Sequence, residues 1–217
     1  MTDYPLRRRI MVDTQVRPSD VTKYPIIEAM LAVPRELFVP AGRREVAYVG
    51  ENLPVAPGRV MLEPRTFAKM LDALDIRDDE LALVVGTGLG YSAAVVARLA
   101  QAVVAVEEDA GLAAEAEAAL SEIGADNVAV VVAPLAEGAA QHGPYDVILV
   151  EGAVEQLPLA IATQLKEGGR IACLCADGPL GVCKIGLRVG DSMSWRGAFD
   201  ASAPVLPGFA RQPDFVF

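Results

Sequence analysis

One turn limits this chain more than any other feature. Gly86-Thr87-Gly88-Leu89-Gly90-Tyr91 follows the apolar run 81–85 directly and leads straight into the small-residue stretch 92–100. A short apolar run that ends on glycines and continues as a helix reads as the first strand–helix unit of an open parallel sheet. In such a turn the missing Cβ atoms let backbone N–H groups come close to a ligand, beside a helix N-terminus. The next apolar run, 102–107, ends on Glu107. That is about 20 residues past the turn, where a carboxylate accepts ribose hydroxyls in nucleotide-binding sheets.

The same rhythm continues downstream. Residues 110–123 read as a helix closed by Gly124, 127–133 as a strand and 145–151 as a fourth strand. Residues 157–165 read as a helix ending at Gly168–Gly169, followed by a strand over 170–176 and a closing hairpin from 181–189 and 192–200. Strands that alternate with helices predict an α/β fold on a mostly parallel sheet, with antiparallel character at the end. Upstream, Thr22 opens a helix that closes near Pro34, and the prolines and glycines of 40–62 predict loops with short extended pieces. Pro64 suits the first turn of a helix whose apolar face carries Phe67, Met70, Leu71 and Leu74. The organisation is one domain over 1–217, with an N-terminal helical and loop segment (1–80) before the α/β core (81–217).

Composition narrows the partners. Of 217 residues, 53% are hydrophobic and 22% charged, with a formal net charge of -10. An acidic surface repels phosphate backbones and anionic headgroups, which argues against nucleic-acid and membrane-surface binding. Arg7, Arg8 and Arg9 read as a solvated first helix turn. Asp13, Gln15 and Arg17 interrupt the apolar residues behind them, so no export signal forms. No stretch approaches the length of a bilayer span. Cys173, Cys175 and Cys183 with the lone His142 supply too few ligands for a metal site, and buried reduced thiols fit a cytoplasmic protein. The sequence leaves oligomeric state open.

The glycine spacing G-x-G-x-G is tighter than the dinucleotide pattern and resembles motif I of Rossmann-like methyltransferases. The segment 84–100 (VVGTGLGYSAAVVARLA) resembles the corresponding pattern of the protein-L-isoaspartate O-methyltransferases, including the tyrosine after the last glycine. Segments 29–40 (AMLAVPRELFVP), 103–112, 143–158 and 163–171 (TQLKEGGRI) resemble the same family, so the likeness runs from about residue 26 to 175. It implies a class I methyltransferase sheet of seven strands with helices on both faces. It also implies S-adenosylmethionine as cofactor and, as acceptor, the carboxylate of damaged aspartyl residues in a protein or peptide, a protein-repair activity.

By the same resemblance, Gly86, Thr87, Gly88, Gly90, Tyr91, Glu107 and Glu108 hold the cofactor. Pro134 and Leu135 stand where the family has its adenine-contacting segment, and Glu151 replaces a threonine at the end of the fourth strand. Val84 stands in place of an acidic residue. The substrate loop departs most. Val60-Met61-Leu62 replaces a polar stretch, and Leu62 stands at the family serine. Arg59 and Arg65 flank this wall, placed to hold an acceptor carboxylate or to be solvated at the surface. Methylation of a carboxylate needs no general base, since the nucleophile is already ionised at pH 7. Two further readings stand beside this one: a catalytically degenerate binding protein on the same scaffold, and a small-molecule methyltransferase whose apolar acceptor pocket is lined by Val60, Met61, Leu62 and Phe67.

Overall fold

The structure is a computed structural model describing residues 2–176, 178 and 180–211. The run 81–85 forms strand β3 (Leu81–Val85), and its neighbours are β4 (Ala102–Glu107), β5 (Val128–Val132), β6 (Tyr145–Val154) and β7 (Leu165–Cys175). These five pair in parallel in the order β5-β4-β3-β6-β7. β8 (Val182–Val189) and β9 (Ser192–Asp200) then add antiparallel to complete seven strands. Successive side chains of a strand go to opposite faces, and the core divides accordingly. Ala82, Val84, Val103, Ala105, Val147 and Leu149 pack on one side, and Leu83, Val85, Val104, Val106, Ile148 and Val150 on the other.

The first face is covered by the N-terminal helices α1 (Tyr4–Met11), α2 (Tyr24–Ala32) and α3 (Pro64–Leu74), with α4 (Tyr91–Val96) and α5 (Ala110–Glu122). α3 buries Phe67, Met70, Leu71 and Leu74, the expected apolar face. The second face is covered more thinly, by Ile161 of the single-turn α6 (Leu159–Ala162), Leu135 of a short 3-10 turn, and Leu206 and Phe209 of the C-terminal segment. No helix among the described residues is long and apolar enough to cross a membrane.

Two expectations need correction. The helix read over 157–165 is only one turn, Leu159–Ala162, because Leu165 already begins β7. Gly168 and Gly169 then lie inside that strand, where its pairing with β6 shifts register between Tyr145 and Val147. The basic cluster is not simply solvated either. Arg8 is mostly buried, with its guanidinium on Glu36 (3.2 Å) and on the carbonyl of Leu31 (3.1 Å), while Arg7 pairs with the exposed Glu45.

Arg35 fixes the N-terminal segment to the core. It is fully buried, donates to the carbonyls of Ala47 and Leu62 at 2.7 Å each, and lies 4.6 Å over the Tyr91 ring. Tyr91 in turn packs against Phe38 and Phe67. One side chain thus holds the 3-10 turn 35–38, Leu62 and the start of α4 in register. In Arg35→Leu both carbonyls stay buried without a donor, and each lost partner costs about 1–3 kcal/mol. Urea denaturation should show a loss of at least about 2 kcal/mol; a loss within about 0.5 kcal/mol would mean that Arg35 braces nothing.

Candidate functional site

β3 and β6 are adjacent, and on either side of them the strand order runs in opposite directions, from β3 to β5 one way and from β6 to β7 the other. A crevice opens beyond the carboxyl ends of strands at such a reversal, and open α/β sheets bind ligands there. Val85 pairs with Val150, so the next residues along, Gly86 on one strand and Glu151 and Gly152 on the other, form its walls. Gly86 and Gly90 take positive φ (80° and 97°), which glycine adopts without strain. Gly86 N–H donates to the carbonyl of Val106 (2.9 Å), tying the turn to β4. Thr87 is buried, and its hydroxyl has no partner among the described residues.

Glu107 lies at the end of β4 with a fully buried side chain. Its carboxylate accepts from three backbone N–H groups: Gly88 (2.8 Å), Glu108 (3.0 Å) and Asp109 (3.2 Å). It also takes a bidentate pair from Arg59, with Nη1 to Oε1 and Nη2 to Oε2 at 2.8 Å each. Arg59 comes from the two-stranded hairpin β1 (Leu53–Ala56) and β2 (Arg59–Met61), and only 7% of its side chain is exposed. Both roles read for Arg59 in the sequence are therefore corrected: it is neither a surface arginine nor aimed at an acceptor. The reason is electrostatic. A buried carboxylate is costly unless paired, and the hairpin brings the nearest guanidinium onto it.

The same observation tests whether the residues fit the adenosyl cofactor. The glycine turn and the carboxylate stand where it needs them, but the space between them is filled. A Cβ added at Gly86 would lie 3.2 Å from both Arg59 Nη2 and Leu206 Cδ1, and one at Gly152 would lie 2.5 Å from Leu206 Cγ. Leu206 arrives on the C-terminal segment, which runs beside the end of β6. Ala153 N–H donates to Pro204 (2.9 Å), Leu206 N–H to Ala153 (3.0 Å), and Glu155 and Gln156 N–H to Phe209 (3.0 and 3.1 Å). In this conformation Arg59 and Leu206 stand beside the glycine turn, and five N–H donors already reach the Glu107 carboxylate where ribose hydroxyls would bind. Nothing in the proline-rich tail marked Leu206 for this place. For Arg59 a signal existed, since Glu107 inside an apolar sheet needs a cation and Arg59 is one of two beside the divergent loop.

The remaining site residues are placed as follows. Leu62 and Met61 are buried in the core with Phe67, so the wall read as an apolar acceptor pocket is packing. Arg65 is exposed in the first turn of α3. Glu108 and Pro134 are exposed, and Leu135 is buried on the second face of the sheet. Glu151 is buried and bonds the Ser92 hydroxyl. Burial pushes its carboxyl up from 4.5 to about 8, against the opposing pull of Ser92, the Arg59 and Arg35 charges and the Leu62 N–H.

A carboxyl whose folded pKa lies above its unfolded one binds the extra proton in the native state, so it favours folding below the unfolded pKa. That contribution is lost as pH rises from about 4.5 through about 8. Glu151→Gln keeps the shape without the titration. Its stability relative to the natural chain, measured by denaturant unfolding from pH 5 to 9, should therefore rise with pH. A flat difference would mean that Glu151 is ionised throughout.

Comparison with known proteins agrees with this architecture. The profile of the family described as Protein-L-isoaspartate(D-aspartate) O-methyltransferase (PCMT) matches residues 8–176. A protein-L-isoaspartate O-methyltransferase of Koribacter versatilis (strain Ellin345) is 40% identical over 171 residues, covering 79% of this chain and 77% of its own length. One from Syntrophus aciditrophicus (strain SB) is 37% identical, covering 79% and 78%. Among solved structures, a protein-L-isoaspartate O-methyltransferase superposes with a TM-score of 0.81 at 23% identity, over 93% of this chain and 66% of that one, just under two thirds. A Plasmodium falciparum protein of that name, in complex with S-adenosyl-L-homocysteine, superposes with a TM-score of 0.78 at 16% identity, over 95% and 99%. These two share the fold. With the profile spanning most of its length and relatives at this identity, the chain belongs to the protein-L-isoaspartate O-methyltransferase family.

Proposed function

We propose that this chain is an S-adenosylmethionine-dependent O-methyltransferase that esterifies the carboxylate of damaged aspartyl residues, or of a related acceptor, in cytoplasmic protein repair. The observation that carries this reading is the strand–glycine turn–helix–strand unit ending on Glu107, set at the strand-order reversal of the sheet. Gly86, Thr87, Gly88, Gly90 and Tyr91 shape one side of the cofactor cleft. Glu107 and Glu108 serve the ribose side, Pro134 and Leu135 the adenine side, and Glu151 closes the floor with a carboxyl that is largely neutral at pH 7. The unpartnered Thr87 hydroxyl is a donor that a polar ligand would satisfy.

The acceptor is already ionised at neutral pH, so the chain's own work is orientation rather than proton transfer. Leu62 supplies no side-chain donor at the acceptor position, and its N–H is directed to Glu151. Arg65, exposed at the start of α3, is the cation left to hold an acceptor carboxylate. A second reading, a binding protein on a methyltransferase scaffold, is favoured by one observation: the crevice is filled by Arg59 and Leu206.

The deciding experiment incubates the full chain at high S-adenosylmethionine with paired peptides that differ only in an isoaspartyl or a normal aspartyl residue. Base-labile methyl ester should appear on the isoaspartyl peptide alone. Arg65→Ala should raise the peptide KM about tenfold, the loss of one charge-assisted contact of about 1.5 kcal/mol, with kcat little changed. Equal labelling of both peptides, or of neither, would sink the reading.

A further inference from the structure

We propose that the cofactor cleft is latched from within: an adenosyl nucleoside enters only when Arg59 releases Glu107 and the 203–209 segment withdraws Leu206 from between Gly86 and Gly152. The proposal rests on the methyltransferase reading above and adds a gate to it.

Three features carry it independently. The first is acceptor capacity. A carboxylate offers about four lone-pair sites, and Glu107 already receives five N–H donors, three on Oε1 and two on Oε2. Ribose hydroxyls gain a place only by displacing the guanidinium, the one donor that is not fixed backbone beside the turn. The second is space. Leu206 touches both walls of the crevice at van der Waals range, and the hairpin's Val55 would lie 3.5 Å from a Cβ at Gly88, so hairpin and tail close over the glycine turn together.

The third is how the latch is attached. Hairpin β1–β2 is a separate two-stranded sheet, and the tail joins β6 through one isolated parallel bridge, Ala153 to Val205. Neither takes part in the seven-stranded ladder. Both can leave by local opening that gives up the burial of Met61, Leu206 and Phe209 while the seven-stranded ladder stays paired. Leu206 and Phe209 are buried, so the closed arrangement is the stable one without ligand. A ligand that binds only the open form has its apparent Kd raised in inverse proportion to the open fraction, and mutations that favour opening lower it again.

The test is calorimetric titration of the full chain with S-adenosylhomocysteine, in the natural chain, in Leu206→Ala and in Arg59→Gln. Each is repeated with Glu107→Ala, and folding is checked by thermal denaturation. Amide hydrogen exchange at Ala153, Leu206 and Glu155 is followed in the natural chain with and without the compound. Expected are a Kd at least about tenfold tighter in either latch variant, loss of that gain with Glu107→Ala, and faster exchange at the three amides when the compound saturates the natural chain. Leu206→Ala leaves the ion pair intact, so the proposal stays testable if Arg59→Gln folds poorly. Equal affinity in natural chain and variants, with unchanged exchange, overturns the latch and leaves the cofactor reading standing. No binding in any folded variant overturns both.

Discussion

A fully buried carboxylate at the end of β4 sets the terms for everything around the crevice. Removing an ionised group from water costs several kcal/mol even after relaxation, and the fold must return that locally. Three backbone N–H groups, from Gly88, Glu108 and Asp109, converge on Glu107 because the glycine turn and the approach to α5 bend around it. Arg59 completes the shell and draws the β1–β2 hairpin down onto the sheet. Breaking a buried pair by removing one partner costs about 3–5 kcal/mol in general. The three N–H donors that would remain place the loss of Arg59 toward the lower end.

The central parallel strands β3 and β4 were legible because both their faces are buried, so they read as continuous apolar runs bounded by turn residues, whereas β6 and β7 run longer than read. β3 and β4 have the expected limits, and the antiparallel pair β8 and β9, marked by its turn residues rather than by burial, falls within a residue of its expected bounds. The stretch 157–165 misled because its apolar residues serve two elements. Ile161 faces the second core from α6, while Leu165 belongs to β7, and no cap separates them. Gly168–Gly169 imitated a helix stop, though they mark an irregular strand.

At the site, the glycine turn and Glu107 were legible because they are local: one strand, one turn, one helix. The Arg59–Glu107 pair spans 48 positions, and the Leu206 contacts with Gly86 and Gly152 span more than that. Spacing along the chain carries no trace of such contacts. The substitutions at Leu62 and Val84 were visible, but each reads alone as lost polarity. In the fold, Leu62 is core packing under Arg35 and Val84 is a sheet residue facing the same core.

Glu107 and Glu151 stand on strands that flank β3, in unlike surroundings. Glu107 has a bidentate guanidinium and three N–H groups, whereas Glu151 has one hydroxyl, the N–H of Leu62 and only the distant pull of Arg59 and Arg35. Arg59 acts on both, as the direct partner of the first and as a charge that lowers the proton affinity of the second. When Arg59 leaves the crevice it therefore frees Glu107 as an acceptor and removes a charge that opposes protonation of Glu151. Opening also lets water onto the crevice floor, and burial is the larger influence on Glu151, so its carboxyl gives up the proton more readily as the carboxylate on the wall is exposed.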